Sequence, residues 1–218
     1  MSRLVIAICV LALLSGGTAL GQDRNLIGLV NEAACPLLTS SSHSNDCFNE
    51  PYCGLQEFYL VLWNPWNEAK DQAIANVGGF ECKLVLPDGF YLLGVQLPPA
   101  SINFKPLPEM IVGTNVPVVG DQTLLATITV LVPEYVGDTL YARLTPVNQA
   151  YQSIAGRLAI TDANDEFSLQ AVDAYGPLGI ADDYTEPMLY FGDPQGQGSP
   201  CVVGDAPTSW GSLKADYR

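Results

Sequence analysis

Apolar residues in this chain recur mostly at every second position, in short runs separated by turn residues. From Asn76 to Leu97 the sequence NVGGFECKLVLPDGFYLLGVQL holds two such runs. In the first, Phe80, Cys82, Leu84 and Leu86 fall on one face and Glu81, Lys83 and Val85 on the other, because side chains alternate across a strand. Pro87, Asp88 and Gly89 supply a preset φ, a side chain that bonds its own backbone and tolerance of positive φ, so the pattern predicts a reversal and a hairpin with Phe90 to Leu97.

The cleanest alternation is Thr123 to Val132. Leu124, Ala126, Ile128, Val130 and Val132 are expected on one face, and Thr123, Leu125, Thr127, Thr129 and Leu131 on the other. Asn25 to Val30, the aromatic and branched run Phe58 to Trp63, Thr139 to Thr145, Arg157 to Thr161 and Phe167 to Val172 read as further strands. Ile102 to Phe104 and Met110 to Val112 are short candidates between prolines. Met188 to Phe191 and Cys201 to Val203 are expected edge strands in a Gly-, Pro- and Asp-rich segment, 173–218. With no long window of helical period, the pattern predicts an all-β fold, an antiparallel sandwich with long loops and little helix.

Arg3, an uncharged run from Leu4 to Leu14 and small residues at Ala19 and Gly21 predict a secretory signal peptide over 1–21. The remaining 22–218 suits a single β domain, with a Cys-, Ser- and Asn-rich loop near 31–54, exported to the cell exterior or periplasm. No other run is long enough to span a bilayer. The formal charge of −14 makes nucleic acid and anionic membranes poor partners, since both require a basic face.

Export makes disulfides the expected state of Cys35, Cys47, Cys53, Cys82 and Cys201. Their odd number leaves one thiol over. Cys47 with Cys53 and Cys82 with Cys201 is one pairing, leaving Cys35 free; Cys35 with Cys47 or Cys53 is drawn as easily. A single histidine and the lack of a CxxC pair argue against zinc.

Candidate chemistry is sparse. His43, in SSSHSND, has Asp46 near it, but no GxSxG accompanies them, so a solvated loop histidine is the better reading. Asp162, Asn164, Asp165 and Glu166 form an oxygen-rich turn of the kind that takes calcium. The same residues also suit a polar hairpin turn, and no other cofactor is expected. Trp66 and Tyr59 are candidates for stacking on sugar rings, whereas Trp63 is expected in the core.

The succession of an aromatic strand, GGFECKLVLPDGF, EMIVG with a following VP, TLLATITVLV, TLYARL and GRLAITDAND resembles the cohesin-like, immunoglobulin-like β-sandwich modules of small secreted bacterial proteins of unknown function. It covers roughly Phe58 to Val172 and implies fold and export, with no catalytic residues to carry over. The expected function is a secreted, non-catalytic structural or interaction protein, engaging a protein or polysaccharide at the cell surface or forming a homo-oligomer. A carbohydrate-binding module and an extracellular hydrolase are the alternatives.

Overall fold

The structure is a computed structural model that describes residues 23–33, 45–50, 54–132, 140–181 and 183–191. The signal-peptide region, His43, Cys35, Cys53, Cys201, the expected strand at Cys201 to Val203 and the end of the chain lie outside the described residues. The fold is all-β. Its strands are β1 (Leu26–Val30), β2 (Asn49–Glu50), β3 (Gly54–Trp63), β4 (Trp66–Asn67), β5 (Gln72–Ala73), β6 (Asn76–Val85), β7 (Tyr91–Gln96) and β8 (Ile102–Asn103). They continue as β9 (Glu109–Pro117), β10 (Gln122–Val132), β11 (Leu140–Thr145), β12 (Leu158–Asp162), β13 (Asp165–Gly176), β14 (Gly179–Ala181) and β15 (Leu189–Phe191). Helix among the described residues is limited to 3-10 turns at Asn45–Phe48 and Gln149–Tyr151.

Strand pairing runs β2-β15-β11-β6-β12-β13-β1-β3-β10-β7, with β9 on the second edge of β6. Two sets of strands line one apolar core. Leu60, Leu62 and Ile128 come from β3 and β10, and Phe80, Leu84 and Ile160 from β6 and β12. Phe80, Cys82 and Leu84 point inward as the alternation predicts, with Leu86 packed against them. The expected hairpin is corrected. The reversal forms, with Phe90 N donating to Pro87 O and Gly89 at φ +85°. Yet β6 pairs with β9, β11 and β12, and β7 pairs with β10, so Pro87 to Gly89 carries the chain from one set of strands to the other. Alternation reports which side chains are buried and not which strand they meet.

Purely antiparallel pairing is also corrected: β1 lies parallel to β13 and β15 parallel to β2, so the sheet is mixed. The segment expected as an edge, β15, is flanked on both sides. A third correction concerns β10. Ala126, Ile128, Val130 and Val132 are buried as expected, but the register on β3 shifts between Leu124 and Ala126, and the extra residue of this bulge reverses the faces before it. Thr123 and Leu125 are buried, and Leu124 is 38% exposed.

β13 connects the two sets. Its middle pairs with β12 up to Leu158 opposite Val172, and from Asp173 it pairs with β1. The corner is fastened by Tyr184, whose hydroxyl donates to Val172 O (2.5 Å) and accepts from Arg157 Nε (2.9 Å) and Leu158 N (3.2 Å). Arg157 also pairs with Asp173. Burial raises the Tyr184 pKa above its ordinary value, against the lowering effect of the Arg157 hydrogen bond, so the hydroxyl keeps its proton for Val172.

A smaller cluster, Leu26, Val30, Phe48, Val61, Trp63 and Tyr175, lies outside the main core. Trp63 is buried as expected, wedged edge-on against Tyr175 at 5.4 Å between ring centroids. The Asn45–Phe48 turn covers it, with Phe48 edge-on to the same tyrosine. Cys47 in that turn is disulfide-bonded, and no bridge joins two of the described cysteines.

The expected Cys82 to Cys201 bridge is overturned. Cys82 is a free thiol in the main core, where an apolar cysteine packs as a small hydrophobe. Burial, with a smaller contribution from the Glu81 charge, pushes its pKa far above the usual thiol range. Native protein at pH 8.5 should therefore leave Cys82 unlabelled by iodoacetamide, and guanidinium should expose it; mass spectrometry of the peptide reads both states. Tyr184→Phe should cost about 1–3 kcal/mol in denaturant unfolding by stripping buried partners from Val172 O and Leu158 N.

Candidate functional site

The acidic turn is a hairpin end. Asp162 closes β12 and Asp165 opens β13, across Ala163 and Asn164. Asp162 is buried; its Oδ1 accepts from Asn164 N (2.9 Å) and its Oδ2 from Asn67 Nδ2 (3.2 Å). Fully buried Asn67 accepts in turn from Lys70 N (3.2 Å) and Gln170 Nε2 (3.5 Å), and Gln170 Oε1 accepts from Glu68 N (3.1 Å). Lys70 Nζ reaches Asp165 Oδ2 at 2.9 Å. These bonds fasten the β4–β5 hairpin onto the end of β12 and β13. The Glu166 side chain lies outside the described residues, and among those residues no group of three or more His, Cys, Asp or Glu is placed to hold a metal.

Trp66 is half-buried beside this clamp. Asn64, at φ +46°, turns the chain out of β3; its N–H donates to Asp121 O and its side chain to Asp23 O, while Trp66 N donates to Asn25 Oδ1. The Arg24 guanidinium covers the indole at 3.8 Å from the ring centroid and leans on Glu68 and Asp71. One face of the ring is thus occupied by a cation. Trp66 lines a cavity of about 360 Å³ with Pro65, Ile74, Val118 and Asp121. Tyr59 is packed on the Trp63 cluster and does not line this cavity.

An arrangement that sequence reasoning missed lies on the outward face of β3, β10 and β7. Leu131 of β10 stands directly opposite Leu55 of β3 on one side and Tyr91 of β7 on the other. Leu55 is 64% exposed, Tyr91 61%, and Leu93, set out by a register shift in β7, 57%. The same face of β3 is covered at its other end, where Val61 and Trp63 lie in the cluster with Phe48, and bare here. Among the described residues β7 pairs only with β10, which leaves its second edge free. Tyr91-Leu92-Leu93-Gly94-Val95-Gln96 contains no charge and no proline, the devices that ordinarily blunt an edge strand. The absence of charge was visible in the sequence. The line-up of Leu55, Leu131 and Tyr91 was not, because it depends on cross-strand register.

No known family model, no curated protein and no solved structure matches the chain. No helix among the described residues is long and apolar enough to cross a membrane.

The clamp makes its own prediction. Asn67→Ala should lower unfolding free energy by about 1–3 kcal/mol, because Asp162 and Gln170 both lose a buried partner; chemical denaturation measures it.

Proposed function

We propose that this is an exported, non-catalytic assembly protein of the cell exterior, built as a cohesin-like, immunoglobulin-like sandwich, that associates through the free edge of β7. The observation that carries the reading is this six-residue uncharged edge bordered by the exposed row Leu55, Leu131, Tyr91. An unpaired edge offers backbone donors and acceptors to an incoming strand, and the apolar row supplies area to bury beside it. Contiguous exposed apolar groups of this kind mark interaction surfaces. The sandwich reading is supported by two strand sets around one core and by a late strand, β13, that serves both.

A second copy of the chain is the occupant proposed. Two β7 edges brought together antiparallel form a self-complementary contact, the symmetry of most homodimers. The overall charge of −14 opposes association, but screening at physiological salt limits that repulsion to about 8 Å. Cys82 is excluded as a covalent connector by its burial.

Light scattering of residues 22–218 over a range of concentrations tests the proposal. The mass should rise with concentration, and Leu93→Lys, at an exposed position, should hold the protein monomeric with stability changed by no more than about 0.5 kcal/mol. A parent protein that stays monomeric throughout would remove the assembly reading.

A further inference from the structure

The outer face of β6, β9 and β12, on the other set of strands, carries a trough with an unusual floor. Gly79 of β6 pairs with Gly113 of β9 and with Thr161 of β12, and Glu81 pairs with Ile111 and Ala159. A Cβ on Gly79 would stand 2.7 Å from Val112 O, a backbone contact that nothing can relieve cheaply, so this position requires glycine. Over Gly113, where a Cβ would meet its ring at 3.3 Å, lies Phe104, itself 65% exposed. Leu169 also lines the trough, which encloses about 210 Å³.

Glu81 lines the same space and is only 4% exposed. Oε1 accepts from Ser153 N and Oε2 from Ser153 Oγ, each at 2.8 Å. Ion pairs among the described residues include Arg24 with Glu68 and Asp71, Lys70 with Asp165 and Arg157 with Asp173, and none of them includes Glu81. Lys83, two positions along on the same face, is not paired with it. A buried carboxylate is expensive unless a cation or several donors compensate it. Each oxygen, having accepted one bond, retains a free lone-pair site.

We infer that this trough is a binding site for an organic ammonium group on a short apolar stem. The ammonium donates to the vacant acceptor positions of Glu81 and neutralises it. Ile111 and Leu169 receive the stem, and the exposed ring of Phe104 adds a cation–π attraction. The acidity of the whole chain raises the local concentration of cations and rejects anionic ligands. A free alkylamine and a lysine side chain of a partner protein share this chemistry.

The test titrates n-butylamine, protonated at pH 7, against n-butanol and butyrate, and adds Nα-acetyl-lysine-N-methylamide as the side-chain source. Binding is read by calorimetry and by the ¹³C resonance of the Glu81 carboxyl group. Butylamine should bind at least about ten-fold more tightly than butanol, a ratio typical of one charge-assisted bond, and should move the carboxyl resonance. Glu81→Gln should abolish the preference for the amine over the alcohol. Phe104→Ala, at an exposed position, should weaken amine binding without unfolding the protein, and decides the matter if Glu81→Gln does not fold. Binding of butylamine alone assigns a free amine, and binding of the capped lysine as well assigns a protein side chain. Equal affinity for butanol, an unmoved carboxyl resonance or no binding at millimolar concentration overturns the site.

Discussion

At its corner, β13 exchanges β12 for β1 and so links the two strand sets. A strand that leaves β12 for β1 must abandon one set of backbone partners before it acquires the next, and buried backbone groups cannot be left unpaired at the transition. The Tyr184 hydroxyl fills that gap, taking Leu158 N and giving to Val172 O at the last pair before the change, while Arg157 ties to Asp173 just beyond it. With the corner held, β1 can lie parallel to β13, and both strand sets feed one core through Leu60, Ile128, Phe80 and Leu84.

The same architecture explains why the outer faces differ. On β3 the outward residues near Trp63 are roofed by the Asn45–Phe48 turn, and those near Leu55 are bare. On β6, glycine and small side chains leave a hollow in which Glu81 is buried from the outside by Ser153 rather than from the core. Polar residues are spent mainly on fastening. Asn67, Asp162 and Gln170 hold one hairpin to another, and Arg24 is laid across Trp66. Asp162, Asp165 and Trp66 are therefore committed to internal contacts, and among the described residues an apolar strand edge and a trough lined by a buried carboxylate stand out.

Local pattern was enough to locate the longer strands and the inward sides of most of them, but not the short strands β2, β4, β5 and β14. Phe80, Cys82 and Leu84 point into the core, Trp63 is buried and the Pro87 to Gly89 reversal forms, because alternation, aromatic content and turn chemistry are local properties of the chain. Partnership was decided by the tertiary structure alone. Nothing local says that β6 and β7, joined by a tight turn, belong to different sets, or that one extra residue in β10 puts Leu125 inside and Leu124 outside. Nor does spacing reveal that Cys82 stays a thiol, that Glu81 faces a hollow, or that Leu55, Leu131 and Tyr91 share a row. Each of these follows from register and from packing between segments tens of residues apart. A period-two pattern encodes the face of a strand and is silent about its neighbour.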